Sequence, residues 1–216
     1  MKQVKLEVYD LKYEWRKKDK DLYLPKNQPT IIDVPALKFF TITGKGNPNS
    51  ESFGEAVGAL YALSYAIRMM PRKGFTPEGY FEYTVFPLEG IWDLDEEGRK
   101  LKTLDKDRLI YTLMIRQPNF VTEELFNKAK IASEKKVADN LLNSIVFEEI
   151  KEGLCVQCLH LGSYDNEPET FSLIEAFCED NNIRRTDKRH REIYLNDARK
   201  TLPEKLKTVL RINVSR

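Results

Sequence analysis

The run His190-Arg191-Glu192-Ile193-Tyr194-Leu195 alternates in character. On an extended strand, His190, Glu192 and Tyr194 share one face, and Ile193 and Leu195 point to the other. A carboxyl held among aromatic side chains has its ionised form desolvated, which raises its proton affinity. Placed so, Glu192 attracts a cation or takes a proton from water as a general base. The alternative is a surface carboxylate paired with Arg191 or Arg199. His160 and Tyr164 are candidate donors; a strand histidine satisfied by its neighbours and a capping-turn tyrosine are the plainer readings. Trp92, two residues beyond Gly90, offers a stacking wall for a flat molecule. Tyr61 and Tyr65 lie four apart on a predicted helix and share a face, so Tyr65 packs in the core or presents its hydroxyl to a cleft. Tyr83 and Phe86 carry the same choice, and Glu89 is a second acidic candidate or a turn-stabilising residue.

Other chemistries are excluded. Cys155 and Cys158, followed by His160, invite a metal reading. Residues three apart on a strand face opposite ways, and no second pair completes a tetrahedral site. Gly44 and Gly46 lack the spacing and the Lys-Ser/Thr end of a phosphate loop, and there is no G-x-S-x-G elbow. No cofactor and no metal are expected. Lys plus Arg number 35 against 34 Asp plus Glu, a net charge of +1. That balance disfavours nucleic acid, whose binders show a basic excess. No apolar run approaches the roughly 18–20 residues that span a bilayer, and the N-terminus has no apolar signal core. With three cysteines, too few and odd in number for a disulfide framework, the expected location is the cytoplasm.

The elements that position these residues are legible in outline. Residues 1–30 read as an N-terminal arm, partly helical, anchored by Tyr9, Tyr13, Trp15, Leu22, Tyr23 and Leu24. A strand is predicted over 36–43, a turn over 44–49, and a helix starting near Ser50–Ser52, where the spacing of Ser52 to Glu55 is that of a capping box. Phe53, Val57, Leu60, Ser64 and Ile67 mark its buried face, and Pro71 and Gly74 end it. Strands follow over 80–86 and 109–116, separated by a charged loop over 93–108. A second helix is expected over 122–140, opened by Thr122, Glu123 and Glu124. The order then recurs: strand 153–161, turn 162–167, helix 168–179, strands 192–196 and 206–214. Leu37 falls on Leu154, Phe39 on Val156 and Thr43 on His160. The pattern is α+β, with module one over about 31–120, a linking helix over 122–140 and module two over about 144–214. Two half-covered sheets pairing about a pseudo-twofold axis bury their apolar surface and leave a central ligand cleft.

Four strings carry a resemblance: YLPKNQPTIIDVPALKFFTITGKGNPN (23–49), PLEGIW (87–92), LGSYDNEPETF (161–171) and HREIYLNDARKTLPEKLKTVLRINV (190–214). Together they resemble GyrI-like small-molecule-binding proteins, and more narrowly the longer, stand-alone branch similar to cyclopropanoid cyclopropyl hydrolases. The resemblance implies a duplicated strand–helix–strand–strand (SHS2) fold over 31–216. It implies a planar aromatic or amphipathic ligand, often cationic, held in the cleft against an acidic residue at the position of Glu192. It further implies either opening of the strained ring of DNA-alkylating natural products, which protects the cell, or binding, sequestration or sensing without catalysis. In the hydrolytic case Glu192 is the base, Tyr164 or His160 steadies the carbonyl oxygen, and Trp92, Tyr65, Tyr83, Phe86, Glu89 and Tyr194 contact the ligand. The sequence departs from the family pattern at Asp197-Ala198 and at Ile212-Asn213-Val214. No helix-turn-helix pattern precedes the resemblance, which argues against a transcription regulator, and the sequence does not specify an oligomeric state.

Overall fold

The computed structural model of the protein describes residues 12–216, and Tyr9 lies outside them. A two-residue strand β1 (Lys12–Tyr13) leads into short helices α1 (Trp15–Lys18) and α2 (Lys20–Tyr23). Then come strand β2 (Thr30–Lys45), helix α3 (Glu51–Arg68), and strands β3 (Glu82–Tyr83), β4 (Leu88–Leu94) and β5 (Leu109–Gln117). Helices α4 (Glu123–Ser133) and α5 (Asp139–Ser144) lead to β6 (Val146–Leu161), α6 (Glu167–Asp180), β7 (Arg184–Arg185), β8 (His190–Tyr194) and β9 (Lys207–Ser215). The order strand–helix–strand–strand occurs as β2-α3-β4-β5 and again as β6-α6-β8-β9, giving a mixed α+β fold.

The sheet closes on itself. Strand β2 pairs β6 along Thr30–Thr41 and β5 along Lys38–Lys45, and β6 pairs β2 along Val146–Gln157 and β9 along Cys155–Leu161. With β5–β4, β4–β8 and β8–β9, all antiparallel, six strands form a ring. The two 16-residue strands make closure possible, because each changes partner part-way along. Pro35 sits between the β2–β6 pairs Val34↔Gly153 and Ala36↔Lys151, in a register that runs unbroken past it. It has no N–H to give the ladder, and Gly153, opposite the preceding Val34, takes φ 73°.

Period-2 alternation sorts side chains to the two faces of this ring. Inward lie Phe39, Met114 and Cys155, with an ionic cluster at their centre. Arg191 meets Glu89 at 2.7 Å and Glu152 at 3.0 Å, and Arg211 meets Glu152 at 3.0 Å and Gln157 at 3.1 Å. Tyr23 donates to Glu89 at 3.3 Å. Two acids and two guanidiniums balance, as groups so far from water must. Outward, α6 covers Val156, Cys158, Leu210 and Ile212. Helix α3 buries Leu60, Leu63 and Ile67 against Phe40, Ile42, Leu113 and Ile115. The N-terminal segment is a wedge, with Trp15 and Tyr23 buried and Trp15 Nε1 donating to the Val85 carbonyl at 3.1 Å.

Several sequence-based boundaries shift. Helix α3 starts within the expected Ser50–Ser52, but its cap is Ser50, whose Oγ accepts from Phe53 N at 3.3 Å, and not Ser52 of the capping-box spacing. The strand expected over 80–86 shrinks to Glu82–Tyr83, and β4 lies beyond it, inside the PLEGIW string. The helix expected over 122–140 breaks after Ser133; the turn lets both Val137 and Leu142 reach the core.

Candidate functional site

The outward faces of β4 and β8 form the floor of a cavity of about 1160 Å³. Helix α3 supplies one wall through Phe53, Val57, Tyr61 and Tyr65, and α6 with the preceding turn supplies the other through Tyr164, Glu167 and Phe171. Phe53 and Val57, expected in the core, are half-buried because they face this space. The residues pair across the floor as β4 and β8 pair: Gly90 lies opposite Glu192 and Trp92 opposite His190. A Cβ on Gly90 would stand 2.9 Å from Trp92 Nε1 and 3.4 Å from the Tyr194 hydroxyl, so glycine is what lets the indole lie against the strand.

A chain of hydrogen bonds crosses the floor. Trp92 Nε1 donates to the Tyr194 hydroxyl at 2.8 Å, and that hydroxyl donates to Glu192 Oε2 at 2.8 Å. His190 Nε2 faces Glu192 Oε1 at 3.0 Å. An ionised carboxylate only accepts, so His190 carries its proton on Nε2 in that state. The Glu192 side chain is thus locked in place by its own strand, with lone pairs left over. Burial and the Glu192 charge push the Tyr194 hydroxyl well above the ordinary tyrosine range. The same two causes push Tyr164 up to about 12, and its ring stands edge-on to Tyr194 at 6.0 Å.

Glu192 has an acidic neighbour that sequence reading did not single out. Glu167, the first residue of α6, is 8% exposed, and its Oε1 is buried with no hydrogen-bond partner among the described residues. Burial first, and then the charge of Glu192, raise its pKa to about 9. The favourable dipole of the helix start does not offset that. At neutral pH this wall therefore presents a neutral carboxylic acid.

Of the nine residues proposed from sequence, Glu192, Tyr164, Trp92, Tyr65, Phe86 and Tyr194 meet at the cavity. The other three lie elsewhere. Glu89 alternates to the inner face of β4 and pairs with Arg191. Tyr83 is enclosed in an aromatic cluster with Tyr80, Phe81, Phe86 and Phe120. His160 accepts from Thr170 Oγ1 at 2.8 Å on Nδ1 and donates from Nε2 to the Ser163 carbonyl at 2.9 Å, the tautomer that a carbonyl partner requires. It braces the turn that carries Tyr164 and Glu167. Cys155 faces into the ring and Cys158 out beneath α6, as strand alternation requires.

Comparison with known families places this architecture. The model of the GyrI-like small molecule binding domain matches residues 27–215. The chain belongs to the GyrI-like family. The crystal structure of a hydrolase from Listeria innocua is 36% identical to this GyrI-like protein, covering 94% of this chain and 100% of its own, with a TM-score of 0.85. A second crystal structure of a hydrolase from Listeria innocua is 38% identical over the same shares, with a TM-score of 0.86. A conserved Listeria innocua protein described as uncharacterized is 37% identical, again over 94% and 100%, with a TM-score of 0.87. No curated protein matches the chain. Among the described residues of this GyrI-like protein, no helix is long and apolar enough to cross a membrane.

Proposed function

We propose that this GyrI-like protein adds water to the strained cyclopropane of flat, DNA-alkylating natural products, and thereby protects the cell. The observation that carries the reading is Glu192, buried and held from both sides by His190 and Tyr194 on the floor of an aromatic-walled cavity. The hydrolases of Listeria innocua, more than a third identical to it, support the reaction class.

An activated cyclopropane brings most of the driving force itself. Ring strain and a conjugated carbonyl leave the ring carbon electrophilic, so the protein must orient a water, remove its proton and accommodate charge on the carbonyl oxygen. Two of the lone pairs of Glu192 are occupied by fixed donors, and the rest are free to accept from a water above the floor. Fixing that water near the reacting carbon supplies the positional part of the rate enhancement. Tyr164, protonated throughout the neutral range, offers an O–H to the oxygen where charge develops. Phe53, stacked on Trp92 at 5.9 Å and 21°, gives a planar guest a surface worth roughly 0.5–1.5 kcal/mol per aromatic contact beyond apolar burial.

The test is to incubate the protein with a spirocyclopropyl-cyclohexadienone compound and follow gain of one water by mass. Ring opening by the wild type and its loss in Glu192→Gln are expected. No opening, or equal opening by the variant, refutes the catalytic reading and leaves a binding protein.

A further inference from the structure

Resting on that hydrolytic reading, we infer that Glu167 is the proton donor of the reaction: a neutral carboxylic acid on the α6 wall that hands its proton to the carbonyl oxygen of the substrate. Three observations point there. Glu167 lines the same cavity as Glu192. Its Oε1 is shut away from solvent without a protein partner among the described residues, although a buried polar atom ordinarily has one. The turn before it is held by His160 through Thr170 and Ser163, so the carboxyl is presented by a braced helix start rather than a loose loop. Oε2 also makes no hydrogen bond among the described residues and is not shut away, so it is the oxygen that carries the proton to a carbonyl oxygen of the guest.

The step balances with water as the only co-reactant. Glu192 removes a proton from water, the oxygen–carbon bond forms, and one cyclopropane carbon–carbon bond breaks. The released electron pair moves through the conjugated system to the carbonyl oxygen, which takes the proton of Glu167. Glu192 ends protonated and Glu167 ionised, so the pair carries one negative charge before and after. No stage requires two buried carboxylates to be charged together, which their closeness disfavours. Solvent exchange resets the two protons.

Proton affinities fit this division of labour. A conjugated carbonyl that ends as a phenol-type hydroxyl has a proton affinity like that of tyrosine, with a pKa of about 10. An acid raised to about 9 gives such an oxygen its proton readily, whereas Tyr164, at about 12, hydrogen-bonds to it but keeps its own.

The experiment compares wild type, Glu167→Gln and Glu192→Gln in single-turnover opening of a spirocyclopropyl-cyclohexadienone probe between pH 6 and 10. It adds a carbon-13 titration of the Glu167 carboxyl. Glutamine keeps a donor N–H but has no proton to transfer. Glu167→Gln is therefore expected to lose about 100- to 10,000-fold in rate at pH 7, with the probe dissociation constant changed by less than about threefold. The carbon signal is expected to report a protonated acid through pH 7, with its midpoint moved down in Glu192→Gln. Wild-type turnover by Glu167→Gln overturns the donor role while leaving Glu192 as base. Absence of turnover in the wild type defeats the hydrolytic reading instead, and the titration then decides alone: a midpoint near the ordinary 4.5 overturns the assignment of Glu167 as a neutral donor.

Discussion

Replacing Glu167 by glutamine is expected to make the protein more stable at neutral pH, by an amount that grows with pH. In the unfolded chain the carboxyl ionises around its ordinary 4.5, whereas in the folded protein it holds its proton up to about 9. Between those values the folded state binds one more proton than the unfolded state, so stability falls as pH rises. The contribution of the protonated acid is complete below pH 4.5 and is lost progressively up to about pH 9. The slope is about 1.36 kcal/mol per pH unit, or about 3 kcal/mol between pH 4.5 and pH 7. Glutamine has the same shape and no titration, so its stability lacks this slope. Urea unfolding of both proteins at several pH values measures the difference, in which titrating groups that do not interact with Glu167 cancel. The gap is expected to widen by about 3 kcal/mol over that interval. For a chain of this length that corresponds to roughly 6–12 °C in melting temperature. Two stability curves running parallel from pH 5 to pH 8 would refute the reasoning, because they would show that Glu167 is already ionised in the folded protein.

Other perturbations test other parts of the architecture. Arg191→Ala removes the shared partner of Glu89 and Glu152 inside the ring and is expected to lower stability by about 3–5 kcal/mol in urea. A loss under 1 kcal/mol would show that Tyr23 and Arg211 suffice for the two acids. Tyr194→Phe removes the link between Trp92 and Glu192; about 1–3 kcal/mol of stability is expected to go with it, together with ring-opening rate. An unchanged rate would mean that the hydroxyl does not position the base. Gly90→Ala puts a methyl group against the indole, so the emission of Trp92 is expected to shift and binding of flat dyes to weaken while circular dichroism is unchanged. An unshifted emission would place the indole farther from the strand than 2.9 Å.

The strands and helices whose signals are local were readable in advance. Residues 36–43 carry a dense β-branched and aromatic run, residues 153–161 a run of Leu, Cys and Val bounded by Gly153 and Gly162, and the apolar spacing of α3 marks Leu60 and Ile67 as buried. Strand β4 was not readable, because its inward residue Glu89 looks like a turn acid until Arg191, 102 positions later, supplies its partner. The same long-range pairing removes Glu89 from the ligand site. Of the two readings of His160, the plainer one holds for a related reason: its partners Thr170 and Ser163 complete it without any ligand. That His190, Glu192 and Tyr194 share one face followed from alternation alone, whereas which side of the ring they face depends on the closure of the sheet. Glu167 escaped notice because it closes the turn expected over 162–167, where an acid is ordinary. What distinguishes it is burial beside Glu192, and that depends on β8 crossing from the far end of the chain.

The ring of six strands leaves no edge unmatched, so its curvature is set by hydrogen bonds on every side. A base of that kind cannot splay to admit a bulkier guest. Accommodation falls to what rests upon it, the two helices and the loop of residues 95–108, whose Lys106 reaches Asp165 at 3.7 Å. Changes of diet among relatives can therefore be written in a few side chains such as Phe53, Val57 and Phe171, while Glu192 beneath keeps its alignment.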